Sequence, residues 1–158
     1  MLHGVDVSES SLDAARHAVR DARAHFSLLD RYPPQGNCDL AFTNGVFHHI
    51  PLQERAEAIN YIYRALRPGG LLSFWENNPW NPGTRYVMSR IPFDRDAIML
   101  SSIQARAMIQ TAGFEVLQTD FLFVFPNMLR SLRTLEPWLA RLPIGAQYQV
   151  LCRKPVGH

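Results

Sequence analysis

Two adjacent histidines, His48 and His49, follow an apolar run that breaks at Thr43, Asn44 and Gly45 within the stretch CDLAFTNGVFHHIP, residues 38–51. An imidazole titrates near neutrality, so either ring, placed at the end of a strand, is a candidate proton acceptor for a substrate. Paired histidines at such a turn equally serve to pack and to hydrogen-bond backbone. They have no further His, Cys or acidic partner nearby, so no metal is expected. A second group of chemically capable residues follows. Trp75, Asn77, Asn78, Trp80, Asn81, Arg85 and Tyr86 combine flat apolar faces with amide and guanidinium groups, as a pocket for a ring-bearing or sugar-bearing molecule would. The alternative is a Pro/Asn-rich loop packed on its own aromatics.

The elements that must position these residues alternate between strand and helix. Leu40, Ala41 and Phe42 follow an acid and end at turn formers, the pattern of a buried parallel strand, and ligands bind at the carboxyl ends of strands in open α/β sheets. Before it, Leu2–Val7 reads as a strand, Ser8–Ser10 as a helix start, 11–23 as a helix, and Phe26–Leu29 as a strand ending at Asp30. After it, Pro51–Leu66 reads as a helix stopped by Pro68, Gly69 and Gly70, and Leu71–Trp75 as a strand. Residues 76–100 are expected to form a long irregular excursion over that strand's end, on the substrate side. Ser101–Ala112 reads as a helix ended by Gly113, Glu115–Val124 as a strand, Met128–Leu139 as a helix broken near Pro137, and Ala146–Arg153 as the last strand. The apolar residues of 121–142, with Arg130, Arg133 and Arg141 among them, read as core strand and helix or as a surface for a lipid or membrane interface. The fold class is therefore α/β, with a mostly parallel sheet and one antiparallel member.

Composition narrows the classes. At 158 residues and 47% hydrophobic content the chain is long enough for one sizeable core, and a single domain over residues 1–158 is expected. Sixteen basic against fourteen acidic residues, with no dense basic block, give no reason to expect a nucleic-acid partner. Cys38 and Cys152 lie in no metal-binding spacing and are expected as buried free thiols. No apolar run approaches the ~20 residues of a membrane span, and no basic region followed by an apolar one trails Met1, so a cytoplasmic protein is the default expectation.

In order and spacing, GVDVSESSLDAAR, the Asp30 loop, CDLAFTNGVFHHI, LRPGGLLSF and Ala112-Gly113-Phe114 resemble class I S-adenosylmethionine-dependent methyltransferases, from about Leu2 to Arg153. The resemblance implies a Rossmann-like fold with helices on both faces of the sheet and S-adenosyl-L-methionine as cofactor. It implies that Asp6, with Val7 beside it, receives the ribose hydroxyls, a carboxylate offering two acceptor oxygens to a vicinal diol. Asp30 would receive the adenine amino group, flanked by Leu29 and Arg31. Asn44 and Gly45 would lie where cofactor and methyl acceptor meet, with His48 or His49 as base. Bland alternatives stand beside these: Asp6 as a helix-capping acid and Asp30 as a turn former. The implied activity is methyl transfer to a small molecule, ring-bearing, sugar-bearing or lipid-linked, through Asn77, Trp80, Arg85 and Tyr86. The competing class is a non-catalytic methyltransferase-like module or an inactive fragment. A nicotinamide-dependent oxidoreductase would share the acid at Asp6 but not the Asp30, Asn44 and Pro68-Gly69-Gly70 series.

One departure stands out. The family carries a Gly-rich turn roughly 20 residues ahead of the strand-end acid, and here only five residues precede Asp6. A truncated chain without the first strand, Gly-rich loop and first helix is expected, with weak cofactor binding. The missing strand would belong between Leu2–Val7 and Leu40–Thr43. Direct pairing of those two strands, a homodimer formed by strand exchange, or aggregation are the expected ways to close the gap.

Overall fold

The computed structural model describes residues 1–94 and 96–157. The chain divides into two compact units, 1–35 and 36–158, each of which is described by itself.

The first unit is a strand, a helix and a parallel strand. Strand β1 (Leu2–Asp6) pairs with β2 (Ala24–Leu28) in a register that sets Asp6 opposite Leu28. Between them, helix α1 (Glu9–Ala18) starts at Ser8, whose hydroxyl accepts from the Ser11 N–H, and it buries Leu12. The helix stops short of the expected Arg23. Asp21 takes both the backbone N–H and the guanidinium of Arg23, and its carbonyl accepts from Ala24, which turns the chain into β2.

The second unit is a four-stranded sheet in the order β3 (Cys38–Asn44), β4 (Leu66–Asn77), β6 (Gln147–Arg153), β5 (Glu115–Leu122). Strands β3 and β4 are parallel, and β6 runs antiparallel to both of its neighbours. This is the Rossmann-like pattern of a mostly parallel sheet with one antiparallel C-terminal strand. The expected direct pairing of 2–7 with 40–43 is not formed among the described residues, because β1 and β3 lie in separate sheets.

Alternation along the strands places Leu72, Phe74 and Glu76 of β4 and Tyr148, Val150 and Cys152 of β6 on the buried face. Helices α2 (Arg55–Ala65) and α4 (Ser102–Thr111) cover that face through Ile59, Ala105 and Ile109. Helix α4 carries a full capping box: the Ser101 hydroxyl accepts from the Gln104 N–H, and the Gln104 side chain accepts from the Ser101 N–H.

Four sequence expectations change. The run Leu40–Phe42 is not buried on both faces: Leu40 is 59% and Phe42 63% exposed, since β3 is the outer strand of its sheet and only its other face meets the helices. The strand expected from Leu71 begins at Leu66, so Pro68, Gly69 and Gly70, expected to stop the helix, lie within β4, where the register slips between Cys38 and Leu40. A Cβ on Gly70 would come within 3.0 Å of the Cys38 carbonyl oxygen, so the close strand approach requires glycine there. The excursion at 76–100 is not irregular throughout, because it contains helix α3 (Pro82–Arg90), capped by Asn81 with Pro82 in its first turn. Finally, 127–135 is a 3-10 segment that runs into a one-turn helix α5 (Glu136–Leu139). It is not core, since Met128 is 94% and Trp138 86% exposed.

No helix among the described residues is long and apolar enough to cross a membrane. Both cysteines are free thiols, but only Cys152 is fully buried; Cys38 is half-buried. Burial pushes the Cys152 thiol up to about 12, which removes its thiolate at neutral pH. With a thiol-specific disulfide reagent at pH 8, the native chain is expected to titrate one thiol, Cys38. The second should appear only in denaturant, and rapid labelling of both thiols in the native state would contradict this packing.

Candidate functional site

In the first unit, the carboxyl ends of two adjacent parallel strands carry the predicted cofactor residues. Asp6 is the last residue of β1 and Val7 follows it, and Leu29, Asp30 and Arg31 form a 3-10 turn directly after β2. All five are exposed on this one edge. The capping reading of Asp6 also has a structural counterpart, for its Oδ1 accepts from the Ser8 N–H at 2.8 Å. One oxygen of Asp6 thus orders the turn, and a carboxylate has acceptor capacity beyond that single bond.

In the second unit, the chain leaves β3 at Asn44 and turns sharply at Gly45, which has φ +65° and donates its N–H to the Trp75 carbonyl at 3.0 Å. The turn delivers Phe47, His48 and His49 as a 3-10 segment whose Phe47 and His48 are buried. Beneath it lies Glu76, the last inward residue of β4, 1% exposed. Glu76 Oε1 accepts from the Phe47 N–H at 2.7 Å, and Oε2 lies 2.5 Å from His48 Nδ1. A buried carboxylate is tolerated when both oxygens are satisfied in this way.

The two histidines therefore differ. His48 is turned inward with Nδ1 held by Glu76, while its Nε2 lies 3.8 Å from Asp94 Oδ1. His49 has a side chain 28% exposed, with Nε2 3.4 Å from the same Asp94 oxygen and its ring packed on Phe93. Burial, and then the neighbouring His48, lower the His49 pKa against the opposing pull of Asp94 and Glu76. Folding thus supplies acidic neighbours that the sequence reading had not found near these histidines.

Arg55 frames this cluster from α2. It is 4% exposed, and its guanidinium donates to the Ile50 carbonyl at 2.9 Å and to the Ile98 carbonyl at 2.6 Å. The Ile98 N–H in turn donates to the His48 carbonyl at 2.8 Å. Burial draws the Arg55 pKa below its usual value, with the Glu76 charge opposing that shift. Tyr148, whose phenol burial and Glu76 push upward, donates to the Leu100 carbonyl at 2.7 Å.

The predicted substrate residues separate into two sets. Asn44 and Asn77 are joined by Gln147, whose Nε2 lies 3.5 Å from Asn44 Oδ1 and 3.2 Å from Asn77 Oδ1. This amide cluster sits at the carboxyl ends of β3 and β4. Trp80, Arg85 and Tyr86 are exposed elsewhere along the excursion: Trp80 stacks near Phe121, and Tyr86 lies under the Arg90 guanidinium. Asn78 and Asn81 do not line a pocket. Asn78 is fully buried and donates to the carbonyls of Pro143 and Gly145, while Asn81 donates to that of Ile144.

Sequence reasoning missed Glu76, Arg55, Asp94 and Gln147. For Glu76 a signal existed, an acid in step with Leu72 and Phe74 on the inward side of an apolar strand. For Arg55 it was a cation in the apolar register of Ile59 and Ile62.

Comparison with known proteins follows this geometry. Residues 1–72 match the family model described as a methyltransferase domain. A comparison with curated proteins finds no match. Among solved structures, an S-adenosylmethionine-dependent methyltransferase from Mesorhizobium loti is similar at 20% identity and TM-score 0.67, over 96% of this chain and 79% of that one. A Thermotoga maritima methyltransferase, described as a possible histamine N-methyltransferase, is similar at 17% identity and TM-score 0.72, over 98% and 73% of the respective chains. Phosphoethanolamine N-methyltransferase 2 of Haemonchus contortus, solved in complex with S-adenosyl-L-methionine, is similar at 19% identity and TM-score 0.63, over 97% and 43%.

The buried Arg55 supports a direct test of this framework. Arg55→Met keeps the apolar stem but removes the donors to the part-buried carbonyls of Ile50 and Ile98, and an unsatisfied buried group costs ~1–3 kcal/mol. Urea unfolding is expected to show a loss of roughly 2 kcal/mol or more; a variant as stable as the parent would show that the clamp on 50 and 98 contributes nothing. Residues 1–72 thus match a methyltransferase-domain model, and the chain shares the fold of solved S-adenosylmethionine-dependent methyltransferases.

Proposed function

We propose that the chain transfers the methyl group of S-adenosyl-L-methionine to a small organic acceptor that bears a ring or a sugar. The observation that supports this reading best is the edge of the first unit, where Asp6 and Asp30 follow adjacent parallel strands within the segment matched by the methyltransferase-domain model. Two exposed carboxylates with Leu29 between them suit a ribose diol, an adenine amino group and the apolar face of a purine. When bound, the cofactor supplies an already activated sulfonium methyl, so the protein's contribution is to position and desolvate the acceptor.

In this reading Asp6 and Asp30 hold the nucleoside, and Asn44, Asn77 and Gln147 orient a polar group of the acceptor beside β3. His49, the more exposed of the two histidines, accepts a proton if the acceptor must lose one. Trp80, Arg85 and Tyr86 offer flat and cationic surface for the rest of the acceptor. His48 is a positioning residue, since its ring is enclosed and committed to Glu76.

Calorimetry with S-adenosylhomocysteine tests the cofactor half. Binding is expected, with no heat from NAD, and Asp6→Ala and Asp30→Ala should each weaken it by about 10- to 100-fold, as loss of a hydrogen bond to a charged group does. A folded chain that gives no heat with S-adenosylhomocysteine would favour a non-catalytic module. For the acceptor half, Trp80→Ala should lower turnover with little change in melting temperature, because Trp80 is 47% exposed. A large fall in melting temperature with unchanged activity would assign Trp80 to packing instead.

A further inference from the structure

His48, His49 and Asp94 point their donor atoms at one another: His48 Nε2, His49 Nε2 and a carboxylate oxygen of Asp94 all lie within 4.8 Å. Glu76 decides what that means. Its Oε2 is an acceptor 2.5 Å from His48 Nδ1, so the proton of the neutral ring sits on Nδ1 and the lone pair sits on Nε2. That lone pair faces Asp94 Oδ1, another acceptor, at 3.8 Å, inside a cluster where His48 is 4% exposed. Two acceptors opposed across a short gap call for a positive occupant between them. A carboxylate that grips the far nitrogen of an imidazole is also what fixes the tautomer and orientation of metal-bound histidines.

We propose that His48, His49 and Asp94 bind a divalent transition-metal ion of the zinc type, with Glu76 as the positioning carboxylate behind His48. Imidazole and carboxylate donors suit a borderline first-row cation. Donors ~2.1 Å from a tetrahedral ion stand ~3.4 Å apart, which the His49–Asp94 distance of 3.4 Å already meets and the His48–Asp94 distance of 3.8 Å approaches. His48 is framed through its carbonyl by Ile98, which Arg55 holds in turn. The partly exposed His49 ring, packed between His48 and Phe93, closes the remaining distance when the ion binds. Three protein donors leave a four-coordinate ion one position for water or a substrate oxygen. The ion ties the Phe47–His49 turn to the Pro92–Asp94 turn across 45 residues of sequence.

The proposal does not depend on the methyl-transfer reading, in which a metal-bound His49 would no longer serve as base, and its test uses the untagged full chain, titrated with Zn²⁺ and with Co²⁺ in metal-free buffer. One equivalent of each should bind, and Co²⁺ should give the intense visible bands of tetrahedral coordination. His49→Ala and Asp94→Asn should abolish both signals, and both lie near the surface, so the folded state can be checked for each by circular dichroism. Glu76→Gln should weaken the metal about 10- to 100-fold, as loss of an outer-shell partner does. A His3→Ala/His25→Ala double variant, which removes the stacked histidine pair of the first unit, should change nothing. If the positive occupant is only a proton, neither ion binds stoichiometrically, and the proposal fails. It fails equally if the signal survives in His49→Ala and Asp94→Asn or disappears with His3 and His25. A calorimetric result for S-adenosylhomocysteine, obtained with chelator present, is independent of either outcome.

Discussion

A carboxylate buried at the end of a strand organises the second unit. Glu76 occupies a position that alternation would give to an apolar residue, after Leu72 and Phe74, and an ionised group there would cost several kcal/mol if left unpaired. It is not left unpaired. The Phe47 N–H and His48 Nδ1 take one oxygen each, so the turn that leaves β3 has to sit directly over the end of β4. Arg55 and Tyr148 stand close enough for the Glu76 charge to raise the pKa of both groups. The conformation of 45–49 is thus set by the need of a buried anion for donors as much as by local turn chemistry.

The same logic attaches the segments that lack regular structure. Asn78, Asn81 and Thr84 give their polar hydrogens to the carbonyls of 143–146, and Arg55 gives its own to Ile50 and Ile98. Each bond satisfies a backbone carbonyl that no strand or helix pairs. Long connections held in this way are ordered without being regular, and that lets them carry side chains at defined places around strand ends. The fold consequently separates two tasks: the apolar faces of β4, β6, α2 and α4 hold the second unit together, while the polar side chains of the turns decide where its chemistry can lie.

A shared fold constrains chemistry only through the residues placed on it. In the first unit, parallel pairing with Asp6 opposite Leu28 puts Asp6 and Asp30 at the carboxyl ends of adjacent strands. In the second, the ends of β3 and β4 carry the amides of Asn44 and Asn77 and, just beyond β3, the imidazoles of His48 and His49.

The sequence by itself determined the alternation of strands and helices, the helix starts within Ser8–Ser10 and at Ser101 or Ser102, and the carboxyl-end positions of Asp6, Asp30, Asn44 and His48, because these depend on periodicity and turn residues that act within a few positions. It also contained the start of α3, in Asn81 followed by Pro82, but the density of Pro, Asn and Gly around it read as a breaker instead of a cap. Whether the Leu40–Phe42 run is covered on one face or two could not be read locally, since an apolar side chain is the same residue on an outer strand as on an inner one. Nor could the partners of the histidines. Glu76 and Asp94 lie far along the chain, and their carboxylates reach the imidazoles only because β4 pairs in register with β3 and the 92–94 turn folds back over 47–49. Tertiary structure alone decided that meeting, for a hydrogen bond between distant residues leaves no period or spacing in the sequence.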